Sequence, residues 1–308
     1  MADSTAGDRA PILITGPTAS GKSALAIALA EALDGEIINA DSQQVWADWR
    51  VLTARPIPAD EARVPHHLYG HRDGADAYST GSWLREVAPL LLQIESRGRR
   101  AILCGGTGLY LTALTAGLSE IPPITHAVRA GVERARRSLD RDAFAALLTA
   151  EDPETARRID RANPMRVARA LEVMRATGKG LVRWQAETGP PVVPRAHGIA
   201  IMPDPDWLDR RIASRFVAMV KDGALEEARA VAARALPSGA GALKALGARE
   251  LIAHVEGRLA LETAIDRATL ATRRYAKRQR TWIRGRFSAW TMLRDADPSA
   301  ALAAIHAD

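Results

Sequence analysis

The sequence contains a single cysteine, Cys104, in 308 residues. That excludes an internal disulfide framework and any cysteine-rich metal site. No apolar run approaches the roughly 18 residues of a membrane span, so no membrane association is expected. The first residues, Met1 to Arg9, carry Asp3 and Asp8 and have no apolar core, which is not the pattern of a secretory signal. A cytoplasmic protein is the expectation. Low-complexity tracts and internal repeats are missing, and aromatic residues amount to 5%. Disorder is excluded by what is present: 47% of the residues are hydrophobic and recur along the whole chain, beside 25% charged. This is enough for a sizeable core in roughly one to three domains. Acids are absent from residues 273–286, RRYAKRQRTWIRGR, which hold seven Lys or Arg. The formal net charge is +6, so without that stretch the chain carries −1. Positive charge concentrated in this way suits a polyanionic partner, although a solvated helix face has the same composition.

The first third alternates strand and helix signals. Pro11–Thr15 is a short apolar run before a glycine loop, and Ser23–Leu33 is rich in Ala and Leu. Gly35–Ala40 reads as a second strand stopping at Asp41, Ser82–Ser96 as a helix, and Arg100–Cys104 as a third strand stopping at Gly105-Gly106. Such units predict an α/β fold, a parallel sheet covered by helices, with ligands gathered at the carboxyl ends of the strands. Three polar loops occupy those ends: 16–23, 41–46 and 105–110. From Thr125 to Thr177 the sequence is almost all helix-forming, with Pro153 and Pro164 as breakers. His197–Met202 returns to a strand pattern, followed by helical segments Asp204–Leu236 and Arg249–Arg284. The predicted organisation is a core of 1–122 and 197–308, with a helical insertion at 123–196.

Gly16-Pro17-Thr18-Ala19-Ser20-Gly21-Lys22-Ser23 fits G-x-x-x-x-G-K-[ST] between a strand and a helix. The glycines let backbone N–H groups converge on phosphate oxygens, Lys22 adds a point charge, and Ser23 can hold Mg2+. A nucleoside triphosphatase carries an acid at the end of a later apolar strand to help hold the metal. Here Gly105-Gly106-Thr107 follows Cys104 with no acid. The acid sits earlier, at Asp41, where a carboxylate can take a proton from a nucleophile; a turn-capping role is the competing reading. In Gly105-Gly106-Thr107-Gly108-Leu109-Tyr110 the glycines serve either close approach to a ligand or the shape of the turn.

Four segments in order, GPTASGKS at 16–23, DSQQVW at 41–46, GGTGLY at 105–110 and KRQRTWIR at 277–284, resemble bacterial tRNA dimethylallyltransferases, the IPP transferase family. Supporting matches are TARP at 53–56, PHHL at 65–68, NPMRVARALEV at 163–173 and LKALGARE at 243–250. The resemblance implies a P-loop NTPase-like sheet with a helical insertion domain. The implied reaction is transfer of the dimethylallyl group of dimethylallyl diphosphate to the N6 amine of the adenosine 3′ of the anticodon. The implied tRNAs read codons that start with U, diphosphate leaves, and Mg2+ assists. On this sequence, Gly16, Pro17, Thr18, Ala19, Ser20, Gly21, Lys22 and Ser23 would bind the diphosphate. Ser23 would also hold the metal. Asp41 would accept the proton, Thr107 would orient the amine, and Arg215 would bind the leaving group. The tRNA anticodon stem-loop would be met by Ser42, Gln43, Gln44 and Thr107. From the insertion it would be met by Arg129 and by Met165, Arg166, Val167, Ala168 and Arg169. Lys244, Arg249, Lys277, Arg278, Gln279, Arg280 and Arg284 would meet it from the C-terminal part. A monomer is expected.

Departures from the family pattern fall at Gln43 and Trp46 of the second motif, at Leu52 before TARP and Arg55 within it, and at Ala248. The alternatives are a P-loop small-molecule kinase, which needs no basic tail, and a non-catalytic RNA-binding protein with a structural anion site. Tyr275 and Trp282, seven apart, fit either base stacking or the apolar stripe of a docked helix. His66, His67 and His71 lack supporting metal-ligand spacing and read as structural or RNA-facing. Cys104 reads as a small core residue.

Overall fold

The computed structural model describes residues 9–307; the reading of the N-terminal segment as no secretory signal falls almost wholly outside them. Six strands form one parallel sheet: β1 (Ile12–Thr15), β2 (Gly35–Asn39), β3 (His66–His67), β4 (Arg100–Cys104), β5 (His197–Ile201) and β6 (Thr291–Leu293), in the order β3-β2-β4-β1-β5-β6. The α/β class and the four strands expected from sequence are observed. β3 and β6, two and three residues long, carry no period of their own. They exist because a neighbouring strand offers them a ladder, Ile37 and Ile38 for β3 and Ile199–Ile201 for β6.

The four longer strands are buried at nearly every position because both faces of the sheet are covered. Ile12, Ile14, Ile37, Ile102, Ile199 and Ile201 point into one layer, shared with Leu25 and Leu29 of α1 (Lys22–Ala32) and Ile305 of the last helix. Leu13, Ile38, Leu103 and Ala200 point into the other, shared with Trp83 and Val87. This is the period-two alternation of a strand, applied to two buried faces.

The remaining helices are α2 (Pro58–Arg63), α3 (Thr80–Ser96), α4 (Gly108–Ala116), α5 (His126–Ser138), α6 (Arg141–Glu151), α7 (Pro153–Arg158), α8 (Pro164–Thr177), α9 (Leu181–Ala186), α10 (Pro205–Met219), α11 (Leu225–Ala233), α12 (Ala248–Val255), α13 (Leu261–Arg286) and α14 (Pro298–Ala307). No helix among the described residues is long and apolar enough to cross a membrane.

The chain divides into two compact units, 1–115 with 193–308, and 116–192. The second is a helical cluster around Val132, Phe144, Leu148, Val167 and Leu171. Its prolines open helices as well as separating them: Pro153 and Pro164 take the first helical position behind the capping side chains of Asp152 and Asn163. In the larger unit, the segment Arg249–Arg284, read from sequence as one helical stretch, is two helices. Gly257 stands between them at φ +74°, a left-handed turn that ends α12. Asp204–Leu236 likewise breaks around Gly223, at φ +117°.

Candidate active site

The loops after β1, β2 and β4 meet at the carboxyl edge of the sheet because those three strands are neighbours or next neighbours in it. The loop after β1 is closely packed. A Cβ on Gly16 would stand 2.6 Å from Ser20 Oγ and 2.9 Å from the Ile201 carbonyl oxygen, and Gly21 adopts φ +95°. Ala19 is also left-handed, at φ +67°. It packs with Leu208 and Ile212 of α10 and Ala276 of α13. Lys22 and Ser23 then open α1 with no side-chain cap, which leaves backbone N–H groups of the first turn for an anion.

Asp41 follows β2 and is 9% exposed. Asn39 fixes its backbone: the Asp41 N–H donates to Asn39 Oδ1 at 2.8 Å, and Asn39 Nδ2 donates to the Asp41 carbonyl at 3.0 Å. One carboxylate oxygen, Oδ1, accepts the Gln43 N–H at 3.0 Å. The turn-capping role is therefore real, but it occupies only that oxygen. Burial lowers the pKa of the Lys22 ammonium, and the Asp41 carboxylate opposes that most strongly. Arg215 on α10 is lowered by burial and by Arg211, again against Asp41. A single carboxylate thus faces two partly desolvated cations, in surroundings where charge–charge interactions are strong.

The glycine turn after β4 is filled by the protein itself. A Cβ on Gly105 would lie 2.0 Å from the Ala40 carbonyl carbon, on Gly106 2.1 Å from Gln279 Nε2, and on Gly108 2.2 Å from Trp282 Cδ1. The need for small residues here comes from close packing of Ala40 and α13. Thr107 ties the turn to the Asp41 loop: its N–H donates to the Ala40 carbonyl at 3.2 Å, and its Oγ1 accepts the Ser42 N–H at 2.9 Å. Tyr275 of α13 lies beside Thr107 and Gln43, and its pKa is raised by burial and then by Asp41.

Thr18, Asp41, Gln43, Arg215 and Tyr275 line one pocket, together with the apolar side chains of Leu52, Ile212, Phe216, Met219 and Leu246. Sequence reasoning named the first four as site residues, read Tyr275 only as base stacking or a helix stripe, and missed the apolar wall. Tyr275 lies one helical turn before Gln279 on the same face, a spacing legible in the sequence. The wall is assembled from segments far apart in the chain.

Comparisons with known proteins agree with this architecture. A profile of IPP transferases matches residues 44–286. This chain belongs to the IPP transferase family. It is 54% identical over 286 residues to a tRNA dimethylallyltransferase of Dinoroseobacter shibae, covering 91% of this chain and 93% of that one. Against the Cereibacter sphaeroides protein of the same name the identity is 52% over 289 residues, 92% of this chain and 88% of that one. Among solved structures, the tRNA isopentenylpyrophosphate transferase of Bacillus halodurans aligns over 97% of this chain and 95% of its own, with TM-score 0.69 and 31% identity. A eukaryotic dimethylallyltransferase described as acting on tRNA aligns over 95% of this chain and 75% of its own, with TM-score 0.79 and 27% identity. These neighbours share the P-loop NTPase-like fold expected from the sequence.

In this IPP transferase not every expected tRNA contact is on the surface. Val167 and Ala168 are 0% and 7% exposed in the core of the helical unit, because the helix period turns them away from Met165, Arg166 and Arg169, which are exposed. Gln279 is 6% exposed, its amide engaged on Thr18 and Gly106. Gln44 Nε2 donates to the Thr53 and Ala54 carbonyls and so shapes the TARP loop. Gln43 Oε1 accepts the Leu246 N–H at 2.9 Å. Lys244, Arg249, Lys277, Arg278 and Arg284 are exposed, Arg280 is half-buried, and Arg129 is exposed on α5. Trp282 packs in the sheet layer, as a helix stripe requires. The departures at Trp46 and Ala248 are both buried: Trp46 covers Gly241, where a Cβ would stand 2.1 Å from the ring. His67 Nε2 is 2.7 Å from Glu36 Oε2, which also binds Arg97. Burial pushes the Cys104 thiol up to about 12, against the pull of Lys22, so it stays protonated at neutral pH.

Proposed function

We propose that the chain is a tRNA dimethylallyltransferase, moving a dimethylallyl group from dimethylallyl diphosphate to the N6 amine of the adenosine 3′-adjacent to the anticodon. The observation that carries the reading is the pocket itself. Thr18, Arg215 and Asp41 share its walls with Leu52, Phe216 and Met219. That combination suits a substrate with a charged diphosphate head and a short apolar tail. A small-molecule kinase is not supported, because relatives matching nine-tenths of the chain carry the transferase name.

An adenine amine is a weak nucleophile, its lone pair being delocalised into the ring. The allylic carbon compensates by tolerating positive charge as its bond to the diphosphate oxygen breaks. The nitrogen takes that carbon, the electron pair of the broken bond leaves with diphosphate, and the amine proton passes to Asp41. Lys22 and Arg215, both coupled to Asp41, stabilise charge on the leaving group. Thr107, already bonded to Ser42 beside Asp41, orients the amine. The base must leave its stack to reach the pocket, at a cost of a few kcal/mol that is smaller in a loop than in a duplex.

No cluster of three or more His, Cys, Asp or Glu side chains suited to a metal occurs among the described residues. Mg2+ typically takes one or two protein oxygens and completes its shell with phosphate and water. The hydroxyl of Ser23, an exposed residue at the start of α1, fits that mode, and the ion would there neutralise diphosphate charge. The same reading makes this a cytoplasmic enzyme acting as a monomer on the anticodon stem-loop of tRNAs that read codons starting with U.

The test is transfer of label from dimethylallyl diphosphate to an unmodified tRNA carrying three adenosines across the target position, with Asp41→Ala alongside. Wild type transfers, and the variant loses about 10²–10⁴-fold in kcat. Equal transfer by both would remove Asp41 from its role, and ATP consumption with no transfer would overturn the reaction.

A further inference from the structure

Helix α13 has two functional sides. Lys277, Arg278 and Arg284 are exposed on one. On the other, Gln279 reaches into the loop edge of the sheet. Its Oε1 accepts the Thr18 N–H at 2.8 Å, and its Nε2 donates to the Gly106 carbonyl at 2.9 Å. The amide can point only one way, since flipping it would set its NH2 against an N–H and its oxygen against a carbonyl. It touches the loop after β1 at Thr18 and the loop after β4 at Gly106. Asp41 Oδ2 stands 3.4 Å from the place a Gly106 Cβ would take, on the same side as Gln279. One turn earlier, Ala276 packs against Ala19 of the same phosphate loop. Two successive points of α13 therefore hold that loop, with only Lys277 and Arg278 between them in sequence.

We propose that Gln279 is a positioning residue that couples the basic face of α13 to the phosphate loop, so that RNA bound on α13 and diphosphate bound in the loop strengthen each other. The inference rests on the proposed function for the identity of the two ligands. Physically, RNA that fixes α13 fixes Gln279, and through the Thr18 N–H it fixes the conformation the loop must adopt for diphosphate. Linkage makes the effect reciprocal.

The amide has one near-isosteric substitute with a switch. A protonated Glu can accept from Thr18 and donate to Gly106, whereas a carboxylate offers Gly106 only a second acceptor and sets a negative charge beside Asp41. The other charged or titratable groups clustered about Asp41 are Lys22, Arg215, Cys104, Tyr69, Tyr110 and Tyr275.

The experiment titrates inorganic pyrophosphate with Mg2+ into the full chain, with and without an unmodified anticodon stem-loop RNA. Wild type, Gln279→Leu and Gln279→Glu are compared at about pH 8 and about pH 5.5. Wild type is expected to bind pyrophosphate about 5–100-fold tighter with RNA present. In Gln279→Leu that factor falls to about one, while affinity for RNA alone changes less than about threefold. Gln279→Glu behaves as the Leu variant at high pH and regains the factor at low pH, relative to wild type at the same pH. In transfer assays the loss appears first in KM for the allylic diphosphate. Gly106→Ala, which displaces the amide without altering α13, is expected to mimic Leu should that variant fold poorly. A coupling factor unchanged in Gln279→Leu and Gly106→Ala, or no recovery of the Glu variant at low pH, overturns the proposal. A wild type that binds neither RNA nor pyrophosphate overturns the proposed function instead.

Discussion

The helical insertion and α13 are both rich in arginine, but the two use it differently. In the insertion, Arg136 and Arg137 bind Glu133 at 2.7 and 2.8 Å, Arg175 binds Glu151 at 2.6 Å, and Arg183 binds Glu154 at 2.9 Å. On α13, Arg273 has a distant carboxylate, Asp209 at 3.9 Å, and no acid pairs with Lys277, Arg278 or Arg284 among the described residues. In the first region these arginines are paired with acids of the same helical unit. The second presents positive charge outward while its inner face packs against the loops after β1 and β4. A count of basic residues does not separate these cases, whereas the placement of acids one helical turn away does.

That contrast can be broken in three ways. The largest effect is expected from Lys277→Ala, Arg278→Ala and Arg284→Ala combined. The affinity for an anticodon stem-loop falls by about 10–10³-fold at low salt, and the slope of log K against log salt flattens by about two. Fluorescence anisotropy across a salt series measures both, and an unchanged slope would mean that this face is merely solvated. A smaller effect is expected in the insertion. Arg175→Ala should lower the stability of that unit by about 0.5–1 kcal/mol, seen as a lower thermal midpoint, with the RNA salt slope unmoved. The smallest belongs to Glu133, whose carboxyl is lowered to about 2, first by its hydrogen bond from Arg136 and then by Arg137. Because the folded value lies below the ordinary 4.5, its contribution is full above that ordinary value and fades as pH falls through about 2. Glu133 is 39% exposed, so solvent screens the pair and the difference between wild type and Glu133→Gln is about a few tenths of a kcal/mol at pH 5. Thermal midpoints from about pH 5 down to pH 2 should converge.

The phosphate loop and Asp41 were legible because each follows a strand and carries its chemistry in consecutive residues. Thr107 was legible as a hydroxyl in a turn, but the reason for the glycines around it was not. The atoms that demand their smallness belong to Ala40, Gln279 and Trp282, two of which lie on a helix about 170 residues away. Reading Met165–Arg169 as one contact segment fails at Val167 and Ala168 because the 3.6-residue helix period turns those two into the core while Met165, Arg166 and Arg169 face outward. The short strands β3 and β6 escaped notice because a ladder with a neighbour, and no hydrophobic period, makes them strands.

By itself the sequence determined the parallel α/β frame, the phosphate loop, the position of the carboxylate and the concentration of positive charge. All of these depend on residues close together in the chain, where backbone geometry and helix or strand period do the specifying. Only the tertiary structure decided that Leu52, Phe216 and Met219 form one wall, that Tyr275 lines the pocket with Asp41, and that Gln279 engages Thr18 across 261 residues of sequence. Contacts of that kind are chosen by packing among distant segments, which leaves no local periodicity for a reader of the sequence to find.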